Sequence, residues 1–167
     1  MMKVTCIGMR VCVLGVLGAS VSLASADITG EVFSIQAEVR GHTGSFSVTS
    51  DQGFFDDQGN FFWTLDNDVS IQDRNGKVLA TLSSASVNIF ADPIIIMNFN
   101  VQATNQDTIF TIESGLLSFA TINGAIGAAS AGVTVTDANG DGATLWPEGS
   151  TMYSSQYNGL YPNGTPF

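Results

Sequence analysis

"FFWTLDNDVSIQDRNGKVLATL", residues 61–82, decides the fold class. Phe61, Trp63 and Leu65 alternate with Phe62 and Thr64, and Val69 and Ile71 alternate with Ser70 and Gln72. Side chains of a strand point to opposite faces in turn, so a period of two with one apolar set predicts half-buried β-strands. Phe61, Trp63 and Leu65 are therefore candidate core. Asn75-Gly76 follows, a dipeptide that accepts positive φ at both positions, and predicts a hairpin into Val78–Leu82.

The same period recurs on either side. Ile35, Ala37 and Val39 lie opposite Gln36, Glu38 and Arg40, and Phe46 and Val48 alternate with serines and threonines. Further strands are expected at Ala85–Phe90, Ile94–Val101, Thr108–Glu113, Gly115–Phe119, Ala129–Thr136 and Ala143–Trp146. Ile94–Met97 is apolar on both faces and is expected in the middle of a sheet. Many short strands with turn residues between them predict an all-β fold, an antiparallel β-sandwich or barrel-like domain of short strands with no substantial helix. "TSDQGFFDDQGN", residues 49–60, is expected to form a long hairpin tip.

The ends read differently. Lys3 and Arg10 precede an apolar run, Val11–Leu23, and Ala24-Ser25-Ala26 has the small-x-small form that a signal peptidase accepts. Residues 1–26 are thus expected to be a signal peptide outside the fold, with an uncleaved anchor as the other reading. The run is short for a membrane span, which takes roughly 20 apolar residues. Residues 27–149 are expected to form the β-sandwich domain and 150–167 an irregular C-terminal tail. Loss of residues 1–26 removes both cysteines and two of the five basic residues. That leaves 3 basic and 15 acidic side chains, a formal charge of −12. Such a chain has no basic patch for nucleic acid or an anionic membrane surface, and the expected location is exported, extracellular or at the cell surface.

"AGVTVTDANGDGATLWPEG", residues 131–149, holds the one patterned candidate site. Calcium takes six to eight oxygens, and its loop motif draws them from positions one, three, five, seven, nine and twelve with glycine at six. Those positions fall on Asp137, Asn139, Asp141, the Ala143 carbonyl, Leu145 and Glu148, with Gly142 at the bend. Leu145 offers no side-chain oxygen, and Pro147 stands where a helix would already run. The flanks alternate like strands, so the turn of a hairpin is the stronger reading and a weak calcium site the second. Asp51, Asp56, Asp57, Asp66 and Asp68 meet no ligand spacing and are expected at solvated hairpin ends.

Catalytic chemistry has little to draw on. His42 is the only histidine, no G-x-S-x-G elbow accompanies it, and it is expected as an exposed turn residue. One histidine and a mature chain without cysteine do not supply an ordinary zinc site. A glycoside-acting enzyme needs two carboxylates at a suitable separation, but no particular pair stands out. Trp146, Tyr157 and Tyr161 are candidates for a carbohydrate-stacking platform, because Trp and Tyr join an apolar face to a polar handle. The expectation is a non-catalytic domain.

"NFNVQATNQDTIFTIESGLLSF", "AGVTVTDANGDGATL" and "MYSSQYNG", within residues 98–159, resemble exported bacterial proteins of the PEP-CTERM type over somewhat more than a third of the chain. Their C-terminal Val-Pro-Glu-Pro-like motif, apolar helix and basic cluster do not occur in this sequence; Trp146-Pro147-Glu148 is no such motif. Either that tail is missing or the resemblance concerns the ectodomain. It implies a surface or extracellular protein associated with extracellular polysaccharide or other surface proteins, and no catalytic residues.

Overall fold

The computed structural model describes residues 2–7, 28–91, 94–115, 117, 128–137, 139–140, 142–147 and 149–155. Among the described residues ten strands follow one another: β1 Met2–Ile7, β2 Glu31–Val39, β3 His42–Thr49, β4 Phe54–Phe55, β5 Phe61–Thr64, β6 Val69–Gln72, β7 Val78–Phe90, β8 Ile94–Ala103, β9 Thr108–Ser114 and β10 Ala143–Leu145. A single 3-10 turn, Ser50–Gln52, separates β3 from β4. The fold is all-β, as the alternation predicts, and no helix among the described residues is long and apolar enough to cross a membrane.

The strands form two sheets. The first has the order β10-β1-β9-β2-β3; in it β2 pairs antiparallel with β3 and β9, while β1 lies parallel to both β9 and β10. The sequence reading set Met2–Ile7 outside the fold, whereas the full chain places these residues between β9 and β10. Cleavage at Ala26 would remove β1 and uncover the edge of β9.

The second sheet is built on β7. The first half of β7 pairs with β6 and its second half with β5, which in turn holds β4, and β8 runs along the other edge of β7. Val78–Leu82 and Ala85–Phe90, expected as two strands, are thus one. A bulge at Ser83-Ser84 sits between the Leu82–Val101 and Ser84–Asn100 pairs. The extra residue lets Leu82 and Ala85 both face inward although three positions apart.

Phe33, Ile35, Ala37 and Val39 of β2 face Leu82, Val87 and Ile89 of β7 across the core, all with at most 1% exposure. Phe61 is fully buried, as expected. Trp63 and Leu65 pack on the same cluster from its margin, and the Trp63 ring lies 6.2 Å from those of Phe33 and Phe46. Burying such side chains contributes about 1.5–3 kcal/mol each against chain entropy.

Turn chemistry departs from expectation in one place. Between β2 and β3 the two-residue turn is Arg40-Gly41, both at positive φ (51° and 80°), the primed geometry that suits strand twist. Between β6 and β7 only Gly76 has positive φ, at 80°. Gly76 N–H donates to the Asp73 carbonyl at 2.9 Å and Asp73 N–H to that of Lys77 at 2.9 Å. This is a three-residue turn closed by a glycine bulge, so Asn75 stays in ordinary backbone space.

Other corrections concern pairing. Ile94–Met97, expected in mid-sheet, belongs to an edge strand: among the described residues β8 pairs with β7 alone, and Ile94 and Ile96 are exposed at 38% and 43%. Residues 129–136 carry no strand; β10 pairs with β1 instead, so residues 137–142 do not close a hairpin. The Gly115–Phe119 expectation falls mostly outside the described residues. At Gly115 the chain leaves the sheet, its N–H donating to the Val32 carbonyl at 3.2 Å. Beyond residue 149, Tyr153 packs on the core and Ser155 is buried.

Along one side the two sheets meet. The backbone of Gly44 in β3 approaches the Gln72 carbonyl of β6 so closely that a Cβ there would overlap it. On that side the sandwich closes toward a barrel.

Candidate functional site

Two Asp-x-x-Gly-x turns share one architecture. In Asp73–Lys77, Oδ1 of Asp73 accepts the N–H groups of Asn75 (2.8 Å) and Lys77 (3.0 Å). In Asp56–Asn60, Oδ1 of Asp56 accepts those of Gln58 (2.9 Å) and Asn60 (2.8 Å), while Oδ2 accepts the Asn60 amide at 2.8 Å. The main-chain bonds of the second turn repeat those of the first, with Gly59 at φ 79°. Asn60 then ties its turn to the end of β7, its Oδ1 accepting Ala91 N–H at 2.9 Å. These bonds stabilise the charged carboxylates. Asp56 is held below its usual carboxylate range, first by the Asn60 side chain and then by backbone amides, with desolvation opposing. Asp73 is lowered mainly by the Lys77 amide, against desolvation, with help from Asn75 and His42.

His42 is more than an exposed turn residue. It opens β3 with its ring about half exposed, and its Nδ1 lies 3.0 Å from Oδ2 of Asp73, which is buried. The pair joins the two sheets beside Gly44. Asp73, unremarked in the sequence, is thus a turn cap and an inter-sheet partner at once. A His–Asp pair is two-thirds of a hydrolytic triad, but among the described residues the ring makes no hydrogen bond to a serine or threonine hydroxyl.

The loop at residues 137–148 uses its first acid for itself. Oδ1 of Asp137 accepts Gly140 N–H and Oδ2 accepts Gly142 N–H, each at 2.9 Å, with both glycines at positive φ. Ala143 begins β10, Asn139 is exposed, and Asp141 and Glu148 lie outside the described residues. Among the described residues no group of three or more His, Cys, Asp or Glu side chains converges. Asp51, Asp57, Asp66 and Asp68 are exposed. Of the expected aromatic platform, Trp146 is exposed at 47%, while Tyr157 and Tyr161 lie outside the described residues.

What the sequence reading missed is a face. On the outside of the second sheet, Phe54, Phe62, Asn88 and Ile96 line up across β4, β5, β7 and β8, with Phe90 and Ile94 paired one step along. The Phe62 ring lies 6.4 Å from that of Phe54 and 5.8 Å edge-on from that of Phe90. Phe54 is 64% exposed. Toward the other end the face continues with Asn98, Asn100, Gln102, Ser86 and Thr81. No Asp, Glu, Lys or Arg occurs between Lys77 and Asp92 or between Asp92 and Asp107, in a chain of net charge −10. The signal was present as two long uncharged strands, but which residues faced outward depended on the bulge and on the pairing.

No protein family, curated protein or solved structure matches this chain.

Proposed function

We propose that this chain is an exported, non-catalytic acidic β-domain that serves as a cell-surface or extracellular-matrix component. The observation carrying this reading is the contrast between its charge and its second sheet. A strongly acidic protein presents one broad uncharged face ending in Phe54, Phe62, Phe90, Ile94 and Ile96, and exposed apolar groups gathered in this way mark interaction surfaces. The basic, apolar and small-x-small segments of residues 1–26 support export, and the acidic surface suits an assembly that is soluble until it meets its partner.

The test is epitope-tagged expression in a bacterial host with fractionation, protease shaving of intact cells and mass spectrometry of the N-terminus. The expected product begins at Asp27 and is cell-surface or extracellular. A cytoplasmic chain retaining residues 1–26 would overturn the proposal. Exposure of Trp146 favours carbohydrate binding as the second reading; retardation of the protein in polysaccharide-containing gels, lost in Trp146→Ala, would establish it.

A further inference from the structure

We infer that β8 pairs antiparallel with β8 of a second copy of this chain, joining two of the second sheets into one across a two-fold axis. The inference rests on the reading of the uncharged β7–β8 region as a contact surface and concerns its β8 edge; the outer face, with Phe54 and Phe62, stays uncovered in the pair.

The first observation is the edge itself. Sheet edges are usually protected by brevity, charge, proline, bulges or a covering element, because their free N–H and C=O groups invite another strand. Among the described residues β8 has none of these devices: it runs ten residues, Ile94–Ala103, without charge or proline, and the bulge of this pair lies in β7. The other outer strands differ. β4 has two residues, β6 has four and β10 three, β3 is closed against β6 at Gly44, and β9, whose edge is uncovered when β1 is cleaved away, is shorter at seven residues and carries the acid Glu113.

The second observation is charge. Two chains of net charge −10 repel wherever their carboxylates approach, over a screening length of about 8 Å at physiological salt. The β7–β8 face is where two copies meet without opposing acids. A basic partner would be drawn to the turns bearing Asp56, Asp57, Asp66 and Asp68, not to a face with no acid to offer it. Neutral matches neutral here, and the same patch on both subunits is what a two-fold interface requires.

The third observation is register. Centring the axis on Asn98 overlaps residues 94–102 with their copies and keeps like faces together. Ile95 then lies opposite Val101 of the second copy and Met97 opposite Phe99, all on the core side. Phe99 and Val101, only partly buried in one chain, gain cover. On the outer side Ile96 meets Asn100, and Asn98 meets itself. A strand of this length spans about 34 Å, and an edge roughly 10 Å deep gives a few hundred Å² per copy. That is below the roughly 800 Å² of a standard interface, so the dimer should be weak and its association concentration-dependent.

Sedimentation velocity from about 1 to 500 μM tests this on protein recovered from the expressing cells, its N-terminus identified by mass spectrometry. Asn98 is exposed, with one weak bond of 3.5 Å to Ser86, so Asn98→Lys and Asn98→Glu should both fold, and circular dichroism will confirm it. The native chain is expected to dimerise with concentration. Each variant alone, placing like charges directly opposite at the axis, should associate at least tenfold more weakly, and an equimolar mixture of the two should recover. Gln36→Lys, on the outer face of the first sheet, should behave as the native chain. A native chain monomeric throughout would overturn the inference and leave the edge to a strand of another protein. Association indifferent to both Asn98 variants, or a mixture that does not recover, would also overturn it. Fractionation judges export separately: a dimer that stays in the cytoplasm would remove the surface assignment and leave the pairing intact.

Discussion

Substituting Gly44 by alanine probes the seam where the sheets meet. The added carbon would overlap the Gln72 carbonyl oxygen and lie 2.7 Å from its carbon and 3.3 Å from the Asp73 nitrogen. All three are backbone atoms, which cannot rotate away as a side-chain tip can. β3 and β6 would have to part by something on the order of 1 Å to restore ordinary van der Waals contact. Overpacking of this kind typically costs about 1–3 kcal/mol, or about 3–10 °C in Tm for a chain of this size. The same movement would stretch the 3.0 Å His42–Asp73 contact, so Asp73→Asn should cost less in the Gly44→Ala background than alone. The assay is a thermal and urea melt of both single variants and the double variant. Gly132→Ala is the control: nothing lies within 4 Å of its new carbon and its φ is not positive, so it should be neutral or slightly stabilising. A Gly44→Ala melt within about 1 °C of that control would refute the close approach of β3 and β6.

Three further outcomes are expected. Backbone and side-chain hydrogen bonds hold Asp56 and Asp73 below the ordinary aspartate range when folded, so their stabilisation is present above that range and is lost as pH falls through it toward the lowered folded values. Melts should therefore be insensitive to these groups from pH 7 to about 5 and fall below it, with a smaller fall in Asp73→Asn. Gly76→Ala should cost about 1–2 kcal/mol because only this residue of its turn has positive φ, while Asn75→Ala should change stability by less than about 0.5 kcal/mol; equal costs would restore the two-residue turn. Melts in excess chelator and in about 10 mM calcium should coincide if Asp137 serves its own turn. A native-only site saturated at 100 times its dissociation constant would add about 2.7 kcal/mol, and loss of that gain in an Asp137→Ala/Asp141→Ala variant would assign calcium to the loop.

The sequence by itself determined the class of fold and much of its inside. In β2, β5 and β9 the alternation of apolar side chains is a property of each strand alone, so Phe33, Ile35, Phe61, Phe110 and Ile112 could be read as core without knowing their neighbours. Turn positions were legible for the same reason, since Asp, Asn and Gly act through their own backbone. Even there the geometry escaped at Asn75-Gly76, because Asp73 caps three residues rather than two. Pairing was decided only in the tertiary structure. Whether an apolar strand is central or at an edge depends on what lies beside it, and Ile94–Met97, apolar on both faces, stands at the edge. Strand existence failed likewise at residues 129–136, where alternation without a partner gives no ladder. The His42–Asp73 contact joins residues 31 apart, and the uncharged outer face collects side chains from four strands through the bulge at Ser83-Ser84. A period is carried by neighbours along the chain, whereas a partner is chosen by the whole fold.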